Sequence, residues 1–258
     1  MQTKQYMDEN KLYNNFQSAY RKNRSTETAL LRVQNDLCPA VDRSGAALLV
    51  LLDLSAAFDT LDHSVLLTRL ENEFGIQGNV LAWMKSYLHD RYQSVQIGDS
   101  VSEKSKLNFG VPQGSVLGPF LYNLYTTPFV LIIKQYDVMF HMYADDIQLY
   151  TGFNPTSKDS VQQTLDSVQK CLESIKLWMS TNYLKLKTEK TEVMVTSTKY
   201  QISKKTIKHV TFDGAQLVPK DSVKNLGVVF NSLFNMEAHI NSVCRTVNFQ
   251  LRNIWKII

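Results

Sequence analysis

The chain has 258 residues, 44% of them apolar, which is enough to bury a core and to form one large or two small domains. No stretch reaches the roughly eighteen uninterrupted apolar residues of a membrane span: Asp53 ends the most apolar run, Asn123 and Pro128 break the next, and the polar N-terminus has no signal-peptide pattern. The net charge of +4 permits nucleic-acid binding without implying it, and Cys38, Cys171 and Cys244 are odd in number and too scattered for zinc or a disulfide framework, so we expect an intracellular protein with free thiols and no disulfide partner.

In chain order, Ala46 to Leu52 is a continuous apolar run that reads as a buried strand with Asp53 at its end. Leu66, Leu67, Leu70 and Phe74 recur at helical spacing and stop near Gly75, a short helix covers Val80 to Leu88, and Tyr92 to Ile97 reads as a strand. After an irregular connection and the Pro112-Gln113-Gly114 loop, Ser115 to Tyr125 reads as a helix whose first N–H groups would face a ligand. Val138 to Met142 and Ile147 to Tyr150 alternate as strands, and Tyr143-Ala144-Asp145-Asp146 between them would hold adjacent carboxylates on a hairpin turn. Val161, Leu165, Val168, Leu172, Ile175 and Met179 form the core stripe of a long helix capped near Ser157 or Asp159. Thr191 to Ser197 reads as a strand, Asp213-Gly214 as a hairpin turn, Asn225 to Phe230 as a further strand, and Met236 onward as an amphipathic helix along Ile240, Val243, Val247, Leu251 and Ile254. These elements predict an α/β fold of the α+β kind, an antiparallel sheet carrying the acidic hairpin with helices on one face.

Two like charges about 4 Å apart repel by roughly 4 kcal/mol near a protein surface, and a chain needing only a turn would use Asn-Gly or Asp-Gly. A lone Asp-Asp pair is most simply a solvated turn. Asp53 changes that, because a buried strand does not tolerate an unpaired charge. If its strand neighbours the hairpin, three carboxylates converge on one point. Hard oxygen ligands on a rigid turn suit Mg²⁺, and a two-metal site fits in-line phosphoryl transfer.

At these residues the chain resembles the reverse transcriptase domain of LINE-type, non-LTR retrotransposons. The likeness runs through Gln17 to Thr26, Asp53-Leu54-Ser55-Ala56-Ala57-Phe58-Asp59, Gly110-Val111-Pro112-Gln113-Gly114-Ser115, Tyr143 to Asp146, Leu184 to Glu192 and Lys224-Asn225-Leu226-Gly227-Val228. Each motif alone is weak, whereas their order over Gln17 to Phe230 is specific. The resemblance implies a right-hand polymerase: partial fingers and the first palm strand in 1–52, a palm in 53–235 with a fingers segment at about 75–110, and the start of a thumb in 236–258. It implies RNA-directed DNA synthesis on an RNA template from a DNA primer with dNTPs, in the nucleus and cytoplasm. Asp53, Asp145 and Asp146, with Leu54, would hold two Mg²⁺ ions, Mn²⁺ being the alternative.

By the same resemblance Phe58 excludes the ribose 2′-hydroxyl, and Gly114, Tyr143 and Ala144 line the nucleotide site. Gln113 is a turn residue or a nucleotide contact, Lys190 a proton donor to pyrophosphate or a solvated lysine beside Glu189 and Glu192. Arg21, Lys22 and Arg24 bind phosphates or cover a helix start, and Gly227 lies near the primer. His63, after Asp62, is expected to help cap a helix rather than bind metal.

Lys187 stands where the resemblance leads us to expect Asn, and Asn231 where Asp often follows, neither expected to touch the three acids. Only sixteen residues precede Gln17 and no Arg-Pro dipeptide occurs, although the family carries an upstream Lys and Arg-Pro-Ile stretch over the triphosphate. A fragment with weak or no independent activity is therefore expected. Two rival readings are a catalytically inactive nucleic-acid-binding remnant and a nucleotide cyclase; the Pro112-Gln113-Gly114 loop counts against the latter. Oligomeric state is not legible in the sequence.

Overall fold

The structure is a computed structural model that describes residues 2–202 and 206–255. Its centre is a four-stranded sheet in the order Glu192–Ser197, Ala46–Leu52, Asp146–Phe153, Met139–Tyr143, with every neighbouring pair antiparallel. The predicted α+β class is the one observed.

Helices cover both faces of this sheet, not one as expected. Leu48, Val50 and Leu52 join a core with Val168, Leu172 and Ile175 of the helix Lys158–Thr181. Ala47 and Leu49, pointing the other way, pack with Leu30, Val33 and Leu37 of the helix Thr26–Ser44. Side chains alternate between faces along a strand, so a strand covered on both sides must be apolar throughout. That is why Ala46 to Leu52 is a continuous apolar run. Each fully buried Leu or Ile contributes about 2 kcal/mol of transfer free energy.

The helix Thr26–Ser44 begins at Ser25, whose side chain accepts from the Thr28 N–H while the Thr28 hydroxyl accepts from the Ser25 N–H. It ends at Gly45, whose φ of +93° suits glycine. Ser157 caps Lys158–Thr181 by accepting from the Ser160 N–H. Asp62 caps His63–Asn72 through the Val65 N–H. His63 itself is the first helical residue, and its Nε2 is hydrogen-bonded to the Gly110 carbonyl at 2.7 Å.

Three expectations shift. The helix after the Gln113 loop is Gly118–Thr126, later than Ser115, because the Ser115 hydroxyl turns back to accept from the Gly118 N–H at 3.0 Å and Pro119 occupies the first turn. Tyr92 to Ile97 splits into the two-residue strands Tyr92–Gln93 and Gln96–Ile97, paired with Ser105–Lys106 and Ser100–Val101; all are exposed, so no core holds them as one strand. Asn225 to Phe230 is a hairpin, Ser222–Asn225 against Val228–Asn231, reversing at Leu226 and Gly227 with φ of +47° and +89°. The last helix, Glu237–Trp255, has no buried residue.

Candidate active site

Tyr143 and Asp146 face each other at the end of their ladder, so Ala144 and Asp145 alone make the turn. Ala144 sits at φ +55°, a left-handed conformation that costs an L-residue roughly 1–2 kcal/mol. Gln17 holds it there. Its amide donates to the Ala144 carbonyl at 3.0 Å and its carbonyl accepts from the Ala144 and Ala19 N–H groups, each at 2.9 Å. The preceding chain runs beside the hairpin as an added edge: Met142 N–H donates to the Phe16 carbonyl and Ser18 N–H to the Met142 carbonyl. Beneath it the Ser18 hydroxyl is hydrogen-bonded to His141 Nε2 at 2.9 Å, with both residues buried. Burial, followed by the charges of Arg32 and Arg24, pushes His141 down to about 4, so the imidazole is neutral.

Leu52 pairs with Ile147 as the last pair of the ladder, so Asp53 and Asp146, the next residue of each strand, lie at the same edge of the sheet. Asp53 is gripped from the other side as well, its carbonyl accepting from the Lys187 N–H at 2.9 Å while Leu54, a buried residue, pairs with Leu186. Its Oδ2 lies 3.4 Å from Lys190 Nζ and 3.8 Å from Lys187 Nζ. Contrary to expectation, then, Lys187 does touch an acid: the turn Thr188–Lys190 folds both lysines over the strand end.

Burial raises the Asp145 carboxyl, Asp53 adds to the rise, and Lys187 opposes it. Asp146 is reached by solvent from the cleft, yet the protein around its carboxylate, together with Asp145 and Asp53, pushes it up to about 6. The three acids therefore form one electrostatic group. They do not converge into a closed ligand set, since among the described residues no three acidic, histidine or cysteine side chains stand close enough to hold an ion. Asp53 is instead turned to its two lysines. The group still fits a divalent metal chemically: all three side chains offer hard oxygens, and at Asp145 and Asp146 burial and neighbouring carboxylates disfavour the ionised form, a cost that a cation removes.

A cleft of about 380 Å³ opens beside the acids, bordered by Asp53, Asp146, Lys190, Lys220 and Lys224. Phe58 is partly buried, its ring 4.7 Å from that of Tyr122, a fully buried residue of the helix Gly118–Thr126. Gln113 and Gly114 are exposed on their loop, Gly114 at φ +75°. Tyr143 is partly buried and Ala144 buried.

The basic cluster does structural work. Arg21 donates to the Asn14 carbonyl and stacks 4.6 Å above the Tyr13 ring, while Arg24 donates to the carbonyls of Asn15 and Gln17. Both thereby stiffen the segment that clamps the hairpin. Lys22 is exposed on a turn, and Gly227 lies in the Leu226–Gly227 turn, next to Leu226 on the cleft wall. Reading the sequence missed the clamp of Gln17, the Ser18–His141 pair, Tyr122 under Phe58 and the lysine grip on Asp53. Gln17 opens a recognised motif, so only its partner was out of reach.

An antiparallel sheet presenting an acidic hairpin beside a third strand-end acid is the palm arrangement of nucleic-acid polymerases. A family model described as reverse transcriptase (RNA-dependent DNA polymerase) matches residues 1–230, and the chain belongs to that family. A probable RNA-directed DNA polymerase from transposon BS of Drosophila melanogaster is 30% identical over 57% of this chain and 17% of its own length. The RNA-directed DNA polymerase from mobile element jockey of the same species is 34% identical over 53% of the chain and 15% of its own. The matched stretch spans about a sixth of the length of these mobile-element relatives. Apo telomerase from Candida tropicalis shares the fold, with a TM-score of 0.57 at 13% identity over 90% of this chain and 38% of that one.

Proposed function

We propose that the chain is the catalytic core of an RNA-directed DNA polymerase that extends a DNA primer on an RNA template with dNTPs. The observation that carries the reading is the ladder ending at Leu52 and Ile147, which brings Asp53 and Asp146, the next residue of each strand, to one edge beside a strained turn which Gln17 holds in place. Residues 53–235 would act as the palm, the segment at about 75–110 as fingers, and the helix Glu237–Trp255 as the start of the thumb. A protein of this kind would work in the nucleus and cytoplasm.

Asp53, Asp145 and Asp146, with Leu54, would hold two Mg²⁺ ions, or Mn²⁺; when bound, the metals supply charge neutralisation and activate the primer hydroxyl. The chain's own residues do the rest. The hairpin sets Asp145 and Asp146 on an inflexible turn, so little reorganisation accompanies the reaction. Phe58, backed by Tyr122, gives the sugar a wall that a 2′-hydroxyl would strike, and Gln113 and Gly114 face the nucleotide from the opposite loop. Lys190, released from Asp53, is placed to give a proton to the pyrophosphate. Lys22, Lys220 and Lys224 supply exposed positive charge for phosphates, and Gly227 lets the turn come close to the primer.

Primer extension on poly(rA)/oligo(dT) with Mg²⁺ is the direct test. Asp145→Asn should lower the rate by on the order of a hundredfold or more, as does loss of one transition-state charge stabiliser, with the fold retained by circular dichroism. Extension at the parent rate would sink the assignment. A second reading, nucleic-acid binding without turnover, is favoured by one observation: Lys187 lies against Asp53, where it competes with any cation.

A further inference from the structure

The turn carrying Phe58 and the loop carrying Gln113 are built as one piece. The Gly110 N–H donates to the Leu61 carbonyl and the Val111 N–H to the Phe58 carbonyl, both at 2.8 Å, and His63 braces the Gly110 carbonyl at 2.7 Å. The approach is so close that a Cβ on Gly110 would lie 2.7 Å from the Asp59 carbonyl oxygen. On this joint Gln113 Nε2 meets both carboxylate oxygens of Asp59, at 3.1 and 3.3 Å. An ionised carboxylate only accepts hydrogen bonds. Asp59 therefore dictates which end of the Gln113 amide faces it: the NH₂ group turns inward, and the carbonyl oxygen is left facing away.

We propose that Asp59 is a positioning residue that fixes the polarity of the Gln113 amide, so that an incoming nucleotide is met by a hydrogen-bond acceptor and is recognised through a donor of its own, a sugar hydroxyl or a base N–H. Without that anchor the amide turns over about its last torsion and offers either end. The Asp59 carboxylate also lies one residue from Phe58, so the wall beside the sugar and the acceptor above it share one scaffold. The inference rests on the polymerase reading for the identity of the ligand, while the Asp59–Gln113 geometry stands by itself.

The test is a double-mutant cycle on the full chain with Asp59→Asn, Gln113→Ala and the pair combined, read by single-nucleotide incorporation and, in parallel, by calorimetric dNTP binding. Asn keeps the shape of Asp59 but presents its own NH₂ group. Asp59→Asn should weaken dNTP binding and raise KM on the order of tenfold, the value of about one hydrogen bond, with kcat affected less. In the Gln113→Ala background it should do nothing further. Repeating the cycle with a 3′-deoxynucleotide separates the donors: the Asp59→Asn effect disappears if the sugar hydroxyl is recognised and persists if a base N–H is. Additive losses, or a loss in kcat alone, would overturn the proposal by making Asp59 an ordinary loop support. A wild-type chain that binds dNTPs with little or no extension still decides the cycle by calorimetry; one that binds no dNTP overturns both the proposal and the polymerase reading.

Discussion

Asp53 has three claims on it. Its backbone is bonded to Lys187, its carboxylate is paired with Lys187 and Lys190, and beside it, one step past the last ladder pair, is Asp146, whose carboxyl is made hard to ionise by burial, by Asp145 and by Asp53 itself. Lys190 is the more exposed of the two lysines and can swing away. Lys187 is the more enclosed and is tied through its own backbone, so it is the stronger competitor with a metal. Replacing it by Asn should lower the Mg²⁺ concentration needed for half-saturation, followed by thermal shift or by primer extension. Stability should change by no more than about 1 kcal/mol, the usual worth of a partly exposed ion pair. An unchanged Mg²⁺ requirement would mean that Lys187 yields freely and that its presence in place of Asn is neutral.

At the level of elements, two tight turns shape the site and differ in kind. Gly110 at φ +81° is pressed against the Asp59 backbone, whereas Gly227 at φ +89° has nothing within 4 Å of where a Cβ would lie. Gly227→Ala should therefore cost only the backbone strain, roughly 1–2 kcal/mol. Gly110→Ala adds a steric overlap that only backbone movement relieves, and should cost about 3 kcal/mol or more. Urea unfolding midpoints compare them directly; equal losses would show that the loop and the Phe58 turn are not in rigid contact. The same logic explains the acidic hairpin. Ala144 at positive φ is tolerable because Gln17 bonds both of its backbone groups, so the strain of the turn is held by an element far away in the chain.

For the whole molecule, buried titratable groups set how stability follows pH. His141 ionises near 6.5 when unfolded and near 4 when folded, so between these values the unfolded chain holds more protons and stability rises with pH. Its contribution is complete above about 6.5 and lost as pH falls towards about 4, on the order of 3 kcal/mol in all. Asp146 acts with the opposite sign: its raised carboxyl favours the protonated folded state, and that stabilisation fades as pH rises towards about 6. Chemical unfolding at pH 4.5 and 6.5 should accordingly show a smaller gain with pH in His141→Gln than in the parent. Parallel profiles would mean that the imidazole is protonated in the fold.

The sequence by itself determined the elements whose signals are local: the apolar strand ending at Asp53, the acidic hairpin, the Ser157-capped long helix and the Asp213–Gly214 turn, each written in periodicity, caps or turn residues within a few positions. The helix Thr26–Ser44 was equally legible in principle, with Ser25 before it, Gly45 after it and Leu30, Val33 and Leu37 at helical spacing. The motifs likewise named the three acids. Only the tertiary structure decided what those acids face. Gln17 reaches Ala144 across 127 residues, Gln113 reaches Asp59 across 54, and Lys187 folds back on Asp53. Such contacts leave no periodic trace, because a hydrogen bond or ion pair between distant residues depends on the register and crossing of whole elements and not on the neighbours of either residue in the chain.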